Sequence, residues 1–149
     1  MKTIPLKLFA IFFSFVTIIV ACSKENGNTK SRTELLVQKN WKYEIAGLDE
    51  NNNGIIEESE NGLLPCQLDD VFTFHSNGTG VLTTGSLPCT PGEPSSTNFN
   101  WSFMNNETEL AIFGAPEKIS MLDENVLEVF YMDQNSQNEP VKYIRRFKH

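Results

Sequence analysis

The chain has 149 residues, a formal charge of −7 and only two histidines. That length suits one domain. The acid excess argues against nucleic acid as a partner, because phosphate binding rests on Lys and Arg, and it gives no reason to expect an anionic bilayer as a direct partner.

The chain opens on an apolar element. Lys2 and Lys7 precede the run LFAIFFSFVTIIVA at residues 8–21. A membrane-spanning helix needs roughly 20 such residues; this run is shorter and has the charged and apolar regions of an export signal. It ends on Ile19-Val20-Ala21-Cys22, which resembles the bacterial lipobox: aliphatic residues, a small residue for a narrow peptidase subsite, then cysteine. The resemblance implies cleavage after Ala21 and covalent lipid on the Cys22 thiol. Two or more acyl chains, palmitate among them, hold a protein firmly where one binds marginally. The competing reading is an ordinary secretory signal followed by a chance cysteine. Losing residues 1–21 removes Lys2, Lys7 and no acid, which takes the charge from −7 to −9. The expected location is the cell envelope, lipid-anchored at the outer membrane and facing the periplasm or the exterior.

Residues 22–32 form the next segment; after the cysteine they read SKENGNTKSR. With no apolar side chain, this is expected to be a flexible tether, and residues 33–149 the folded domain. Residues 33–40 are the one helix candidate, with Thr33 as cap and Leu35, Leu36 and Lys39 at helical spacing.

The period then changes to two. Trp41, Tyr43 and Ile45 alternate with polar or small residues, as do Phe72 and Phe74, then Phe99, Trp101 and Phe103. Leu110 and Ile112, Ile119 and Met121, Leu127, Val129 and Tyr131, and finally Val141, Tyr143 and Phe147 continue the pattern. Short alternating runs mark half-buried strands. Ser76-Asn77-Gly78-Thr79 is a hairpin signal; Asn105-Asn106-Glu107, Gly114-Ala115-Pro116 and Asp123-Glu124-Asn125 separate later strands. About eight strands with short connections predict an all-β fold, a small antiparallel meander barrel. Such a barrel encloses packed side chains or one small ligand. Twelve of the sixteen aromatic residues lie beyond the signal, enough to fill much of the interior.

Residues 49–60, DENNNGIIEESE, match the twelve-residue EF-hand calcium loop position by position. Asp49, Asn51 and Asn53 stand at positions 1, 3 and 5, Gly54 at the sharp turn, and Ile55 offers its carbonyl at 7. Glu57 stands at 9 and Glu60 at the bidentate position 12. Calcium takes six to eight oxygens around a tight turn, hence this spacing. The flanks depart from the motif, since residues 41–48 read as strand and Gly62 and Pro65 oppose a long helix. An isolated loop with three charged side-chain ligands predicts weak, structural binding, at roughly 10⁻⁴–10⁻³ M. The alternative is an Asn-rich solvated turn.

With Cys22 assigned to lipid, Cys66 and Cys89 remain as an even pair, expected to be oxidised in an exported protein. Catalysis has little to draw on. His75 and His149 lack partners in any nucleophile pattern, and Ser86, Ser95 and Ser96 stand in none. Asp69 and Asp70, like Arg145 and Arg146, are read as strand neighbours pointing to opposite faces. One aspartate is expected to bond near the cysteine pair and the other to be solvated, and His149 is expected to be mobile.

From Leu36 onward the chain resembles the lipocalin-like domain family of Gram-negative lipoproteins. The match runs through Trp41-Lys42, Cys66-Gln67-Leu68-Asp69-Asp70, Phe72-Thr73-Phe74, Asn77-Gly78-Thr79, Cys89, Trp101, Leu110, Ile112, Leu127 and Val129. The resemblance implies a small lipocalin-like barrel with Cys66 bridged to Cys89. Two non-enzymatic functions follow as expectations: binding of a small hydrophobic ligand inside the barrel, or contact with another envelope protein by a barrel that is filled.

Overall fold

The computed structural model describes residues 30–149; the expected signal, Cys22 and most of the expected tether lie outside the described residues. One helix, α1 (Arg32–Val37), precedes eight strands: β1 (Lys42–Asp49), β2 (Val71–Phe74), β3 (Thr79–Thr83), β4 (Ser96–Met104), β5 (Glu109–Ile112), β6 (Ala115–Leu122), β7 (Val126–Gln134) and β8 (Pro140–Lys148). The helix starts earlier than expected. Ser31, not Thr33, is its cap: the Ser31 hydroxyl accepts the Glu34 amide and the Glu34 carboxylate accepts the Ser31 amide. This reciprocal capping box satisfies two terminal donors at once, and it brings the last tether residues into the folded domain.

The strands form one antiparallel sheet in the order β1-β8-β7-β6-β5-β4-β3-β2, the expected all-β meander. β4 is the bend: Ser96–Asn100 pair with β3 and Trp101–Met104 with β5. The curl brings the two edge strands together at a single pair, Trp41 and Phe72, which exchange both backbone hydrogen bonds at 2.9 and 2.8 Å. The sheet therefore rolls up without a continuous closing ladder.

Alternation placed most inward side chains correctly, with two exceptions. Pairing slips between Tyr43 and Ile45 and again between Ile119 and Met121. Each bulge inserts one residue and inverts the faces beyond it. Ala46 is thus buried where Ile45 was expected, and Leu122 packs on the core while Met121 is exposed.

Aromatic rings fill the interior. Tyr43 stacks on Phe147 at 4.7 Å between centroids, and Phe72 meets Phe147 edge-on at 5.3 Å. Phe74 meets Phe99 at 5.3 Å and Trp101 at 5.9 Å. Edge-to-face pairs at such distances add to the burial energy of the rings. Leu36 of α1 is fully buried in the same cluster, and its carbonyl accepts the Trp41 indole N–H at 2.8 Å.

In an up-and-down meander the connections alternate between ends. The helix lies with the short turns β2–β3, β4–β5 and β6–β7, and it touches β2 and β6, on opposite sides of the sheet. Lys30 is paired to Glu124 in the β6–β7 turn at 2.9 Å, and the His149 ring lies 3.9 Å from the Trp41 ring with Nδ1 2.7 Å from the Asn40 carbonyl oxygen. This contact fixes the C-terminal residue expected to be mobile. The helix end is therefore closed, and the two long connections, residues 50–70 and 84–95, lie at the other end.

Candidate metal loop and the surface around it

The loop leaves β1 at Asp49 and returns to it. Asn61 bridges Gly47, the Gly62 amide donates to the Ala46 carbonyl at 2.7 Å, and the Ala46 amide donates to the Asn61 side chain at 3.4 Å. Position 12 is thereby held beside the start of the loop: Glu60 accepts the Glu50 amide through one oxygen and the Glu57 amide through the other, each at 2.9 Å. Gly47 makes this approach possible, because a methyl there would overlap the Glu60 carbonyl.

Within the ring, Asp49 is only 1 % exposed, and its two oxygens accept the Asn53 and Gly54 amides at 2.9 Å each. Asn51 Oδ1 also accepts the Asn53 amide at 2.9 Å, and Asn53 Oδ1 accepts the Ile55 amide at 2.7 Å. Asn52 and Gly54 take φ of 57° and 82°, the left-handed geometry that glycine and asparagine adopt most readily. Glu57 Oε1 receives the side-chain amide of Asn53 at 3.3 Å. Ile56 is buried, and it lies against Gly47 on β1.

The structure thus gathers the sequence-matched residues into one closed turn. Among the described residues, no three His, Cys, Asp or Glu side chains are grouped to hold a metal; the set here mixes three carboxylates with two amides and the Ile55 carbonyl. As chemistry the set fits a calcium ion, since every donor is a hard oxygen. A carboxylate or carbonyl oxygen that accepts one amide retains a second lone pair.

Next to this loop, Cys66 and Cys89 form a disulfide with Cα atoms 5.2 Å apart. Asp69 accepts the Ser86 amide at 2.7 Å and its hydroxyl at 3.0 Å, while Asp70 accepts the Gly85 amide at 3.1 Å. Both aspartates therefore engage the facing loop. The expectation of opposite faces failed because they lie in the turn before β2, where strand alternation does not apply. The Ser86 bonds hold the Asp69 carboxyl below its ordinary range, whereas burial pushes Asp70 up.

Arg145 and Arg146 do point to opposite faces. Arg146 donates to Glu128 at 2.7 Å, and Ser120 donates to the same carboxylate at 2.6 Å. Arg145 points inward, forks onto both oxygens of Glu117, and lies 3.4 Å from the Tyr43 hydroxyl. Beside them Tyr131 and Tyr143 stack at 5.2 Å. Sequence reasoning missed this buried pair, because Glu117 and Arg145 stand 28 residues apart with nothing local to link them. It also missed Gly47 and Gly85; a glycine within or beside a strand is the one available signal of close backbone approach. His75 is exposed in the β2–β3 turn, and its carbonyl accepts the Trp101 indole N–H at 3.1 Å.

An open cleft of about 400 Å³ is lined by His75, Thr79, Val81, Asn98, Phe99 and Asn100 along β3 and β4. Among the described residues, no helix is long and apolar enough to cross a membrane. No protein-family model matches the chain, and no curated protein matches it.

Proposed function

We propose that this chain is a lipid-anchored, non-enzymatic, lipocalin-like module of the cell envelope whose filled barrel presents its free end to another envelope protein. The observation that carries this reading is the packed interior. Trp41, Phe72, Phe74, Phe99, Trp101 and Phe147 occupy the space that a ligand-binding barrel keeps open. Lipid on Cys22 tethers the helix end, since residues 1–29 precede α1. The two long loops then lie at the far ends of the strands that carry them, roughly 10–20 Å along four- to nine-residue strands, and face away from the bilayer.

Calcium is a structural element in this reading. Asp49, Asn51, Asn53, the Ile55 carbonyl, Glu57 and Glu60 would hold it. A bound ion would supply charge neutralisation to Asp49, Glu57 and Glu60 in the turn that the Gly47–Asn61 bridge closes. Weak affinity, roughly 10⁻⁴–10⁻³ M, suits such a role.

Native mass spectrometry of the chain extracted in mild detergent tests the main reading. The expected spectrum carries acyl mass on the protein and no further molecule. A stoichiometric small hydrophobic molecule in the spectrum overturns the filled-barrel reading and favours ligand binding. Calcium titration with and without Asp49→Ala tests the loop, and coincident curves reject it. Unchanged metabolic lipid labelling in Cys22→Ala rejects the anchor.

A further inference from the structure

We infer that the two disulfide-linked loops at the end opposite α1 form a docking surface for a basic polypeptide segment that carries apolar side chains at its centre. The inference rests on the reading of the domain as an interaction module, and it names the surface and the partner's chemistry.

The apolar centre comes from three leucines. Leu64, Leu68 and Leu87 are 56 %, 49 % and 53 % exposed. Leu64 and Leu68 flank the turn Pro65–Gln67 that carries Cys66, and Leu87 lies two residues before Cys89. Leu68 and Leu87 are chain neighbours of Asp69 and Ser86, which are hydrogen-bonded to each other. Large apolar side chains gathered in water mark a contact surface more often than chance exposure does.

The covalent and hydrogen-bonded links hold this surface in place. Residues 50–70 and 84–95 are joined by Cys66–Cys89, by Asp69 on Ser86 and by Asp70 on Gly85. A surface ordered before contact loses less entropy on binding.

Charge identifies the partner. From Tyr43 to Glu117 there is no Lys or Arg, and twelve of the nineteen carboxylates fall there. Seven of those twelve lie within residues 50–70 and 84–95. With Glu57 and Glu60 assigned to the candidate ion site and Asp69, Asp70 and Glu93 turned onto backbone amides, Glu50 and Glu58 remain exposed, and an apolar centre beside them complements Lys and Arg on the partner and repels anionic surfaces. It also disfavours a second copy of this chain, since symmetric pairing through this end would set one acidic rim against the other. The leucines supply affinity by burial, and the carboxylates supply partner choice and encounter rate.

The test uses the full chain in mild detergent against an array of short synthetic peptides in which Lys/Arg content and Leu/Phe content vary independently. Binding is expected only where both are present, and it weakens as salt rises. Leu64→Ser with Leu87→Ser lowers it by about tenfold or more, whereas Met104→Ser, exposed toward the helix end, leaves it unchanged. Glu50→Gln with Glu58→Gln, at exposed positions outside the candidate calcium ligands, weakens basic peptides selectively. If peptides bind but the leucine and glutamate variants behave like the parent, this surface is rejected while the interaction reading stands. If no peptide binds, the inference is rejected, while the interaction reading is still decided by the native mass spectrum. Self-association that disappears in the leucine variant overturns the proposal in favour of a second copy of the chain.

Discussion

Gly47 and Gly62 sit on facing segments where the candidate metal loop closes, and they answer differently to the same substitution. A methyl at Gly47 meets the Glu60 backbone, which has nowhere to retreat, whereas one at Gly62 finds its nearest neighbour, the Ala46 carbonyl oxygen, at 3.7 Å. Gly47→Ala should therefore cost about 1–3 kcal/mol, by overpacking against main chain. Gly62→Ala should stay within about 0.5 kcal/mol of the parent in the same urea titration. The inward pair Arg145–Glu117 is sensitive in another way. Removing Arg145 leaves a carboxylate only 6 % exposed without its partner, a loss of about 3–5 kcal/mol, while replacing both residues by apolar ones is close to neutral. Burial pushes the Glu117 carboxyl up, and Arg145 opposes it. A raised folded value means that ionising Glu117 costs stability as pH rises from its unfolded value toward its folded one. Arg145→Met should accordingly destabilise most at neutral pH and less in acid; an equal loss at both would contradict the burial argument.

At the scale of elements, three carboxylates serve as local fasteners. Glu34 accepts the cap amide of α1, Asp69 joins the two long loops, and Asp123 accepts the Asn125 and Val126 amides in the β6–β7 turn. These hydrogen bonds lower all three carboxyls. A lowered folded value gives stability that is present above the unfolded carboxylate range and lost as pH falls through the folded one. The urea midpoint should therefore drop as pH falls below about 4, and Asp69→Asn should flatten part of that slope. Ser31→Ala should cost about 0.5–2 kcal/mol through the lost cap. Strand assignment by alternation worked at this scale because each strand has one face on the core. It lost the faces beyond Tyr43 and Ile119, since a bulge is set by cross-strand pairing and leaves no mark on the local period.

For the molecule as a whole, the rolled sheet has two unlike ends. α1, Trp41 and His149 close one, and at the other a disulfide with a sequence separation of 23 joins an acidic loop, residues 50–70, to residues 84–95. Reducing that disulfide should lower stability by about 3 kcal/mol on the loop-entropy account, measured by denaturation with and without reductant. It should also loosen the leucine surface that Leu64 and Leu87 present. Phe147→Ala, at the centre of the aromatic cluster and 1 % exposed, should cost about 3–5 kcal/mol, because Tyr43 and Phe72 both lose their packing partner.

The sequence by itself determined the elements and the spacing of the oxygen donors in the loop. Alternating apolar residues from Trp41 to Phe147, with Asn- and Gly-bearing turns between them, specify eight antiparallel strands, since period and turn chemistry are local properties. The spacing of Asp49, Asn51, Asn53, Gly54, Glu57 and Glu60 is likewise local, and it was legible before any fold. Only the tertiary structure decided that rings fill the interior, that Gly47 receives the Glu60 backbone, and that Arg145 meets Glu117. It also decided that both Asp69 and Asp70 fasten the facing loop. Those outcomes depend on which distant segments the curl of the sheet brings together, and contacts across 13 residues, as between Gly47 and Glu60, to 104, as between Tyr43 and Phe147, are fixed by three-dimensional packing.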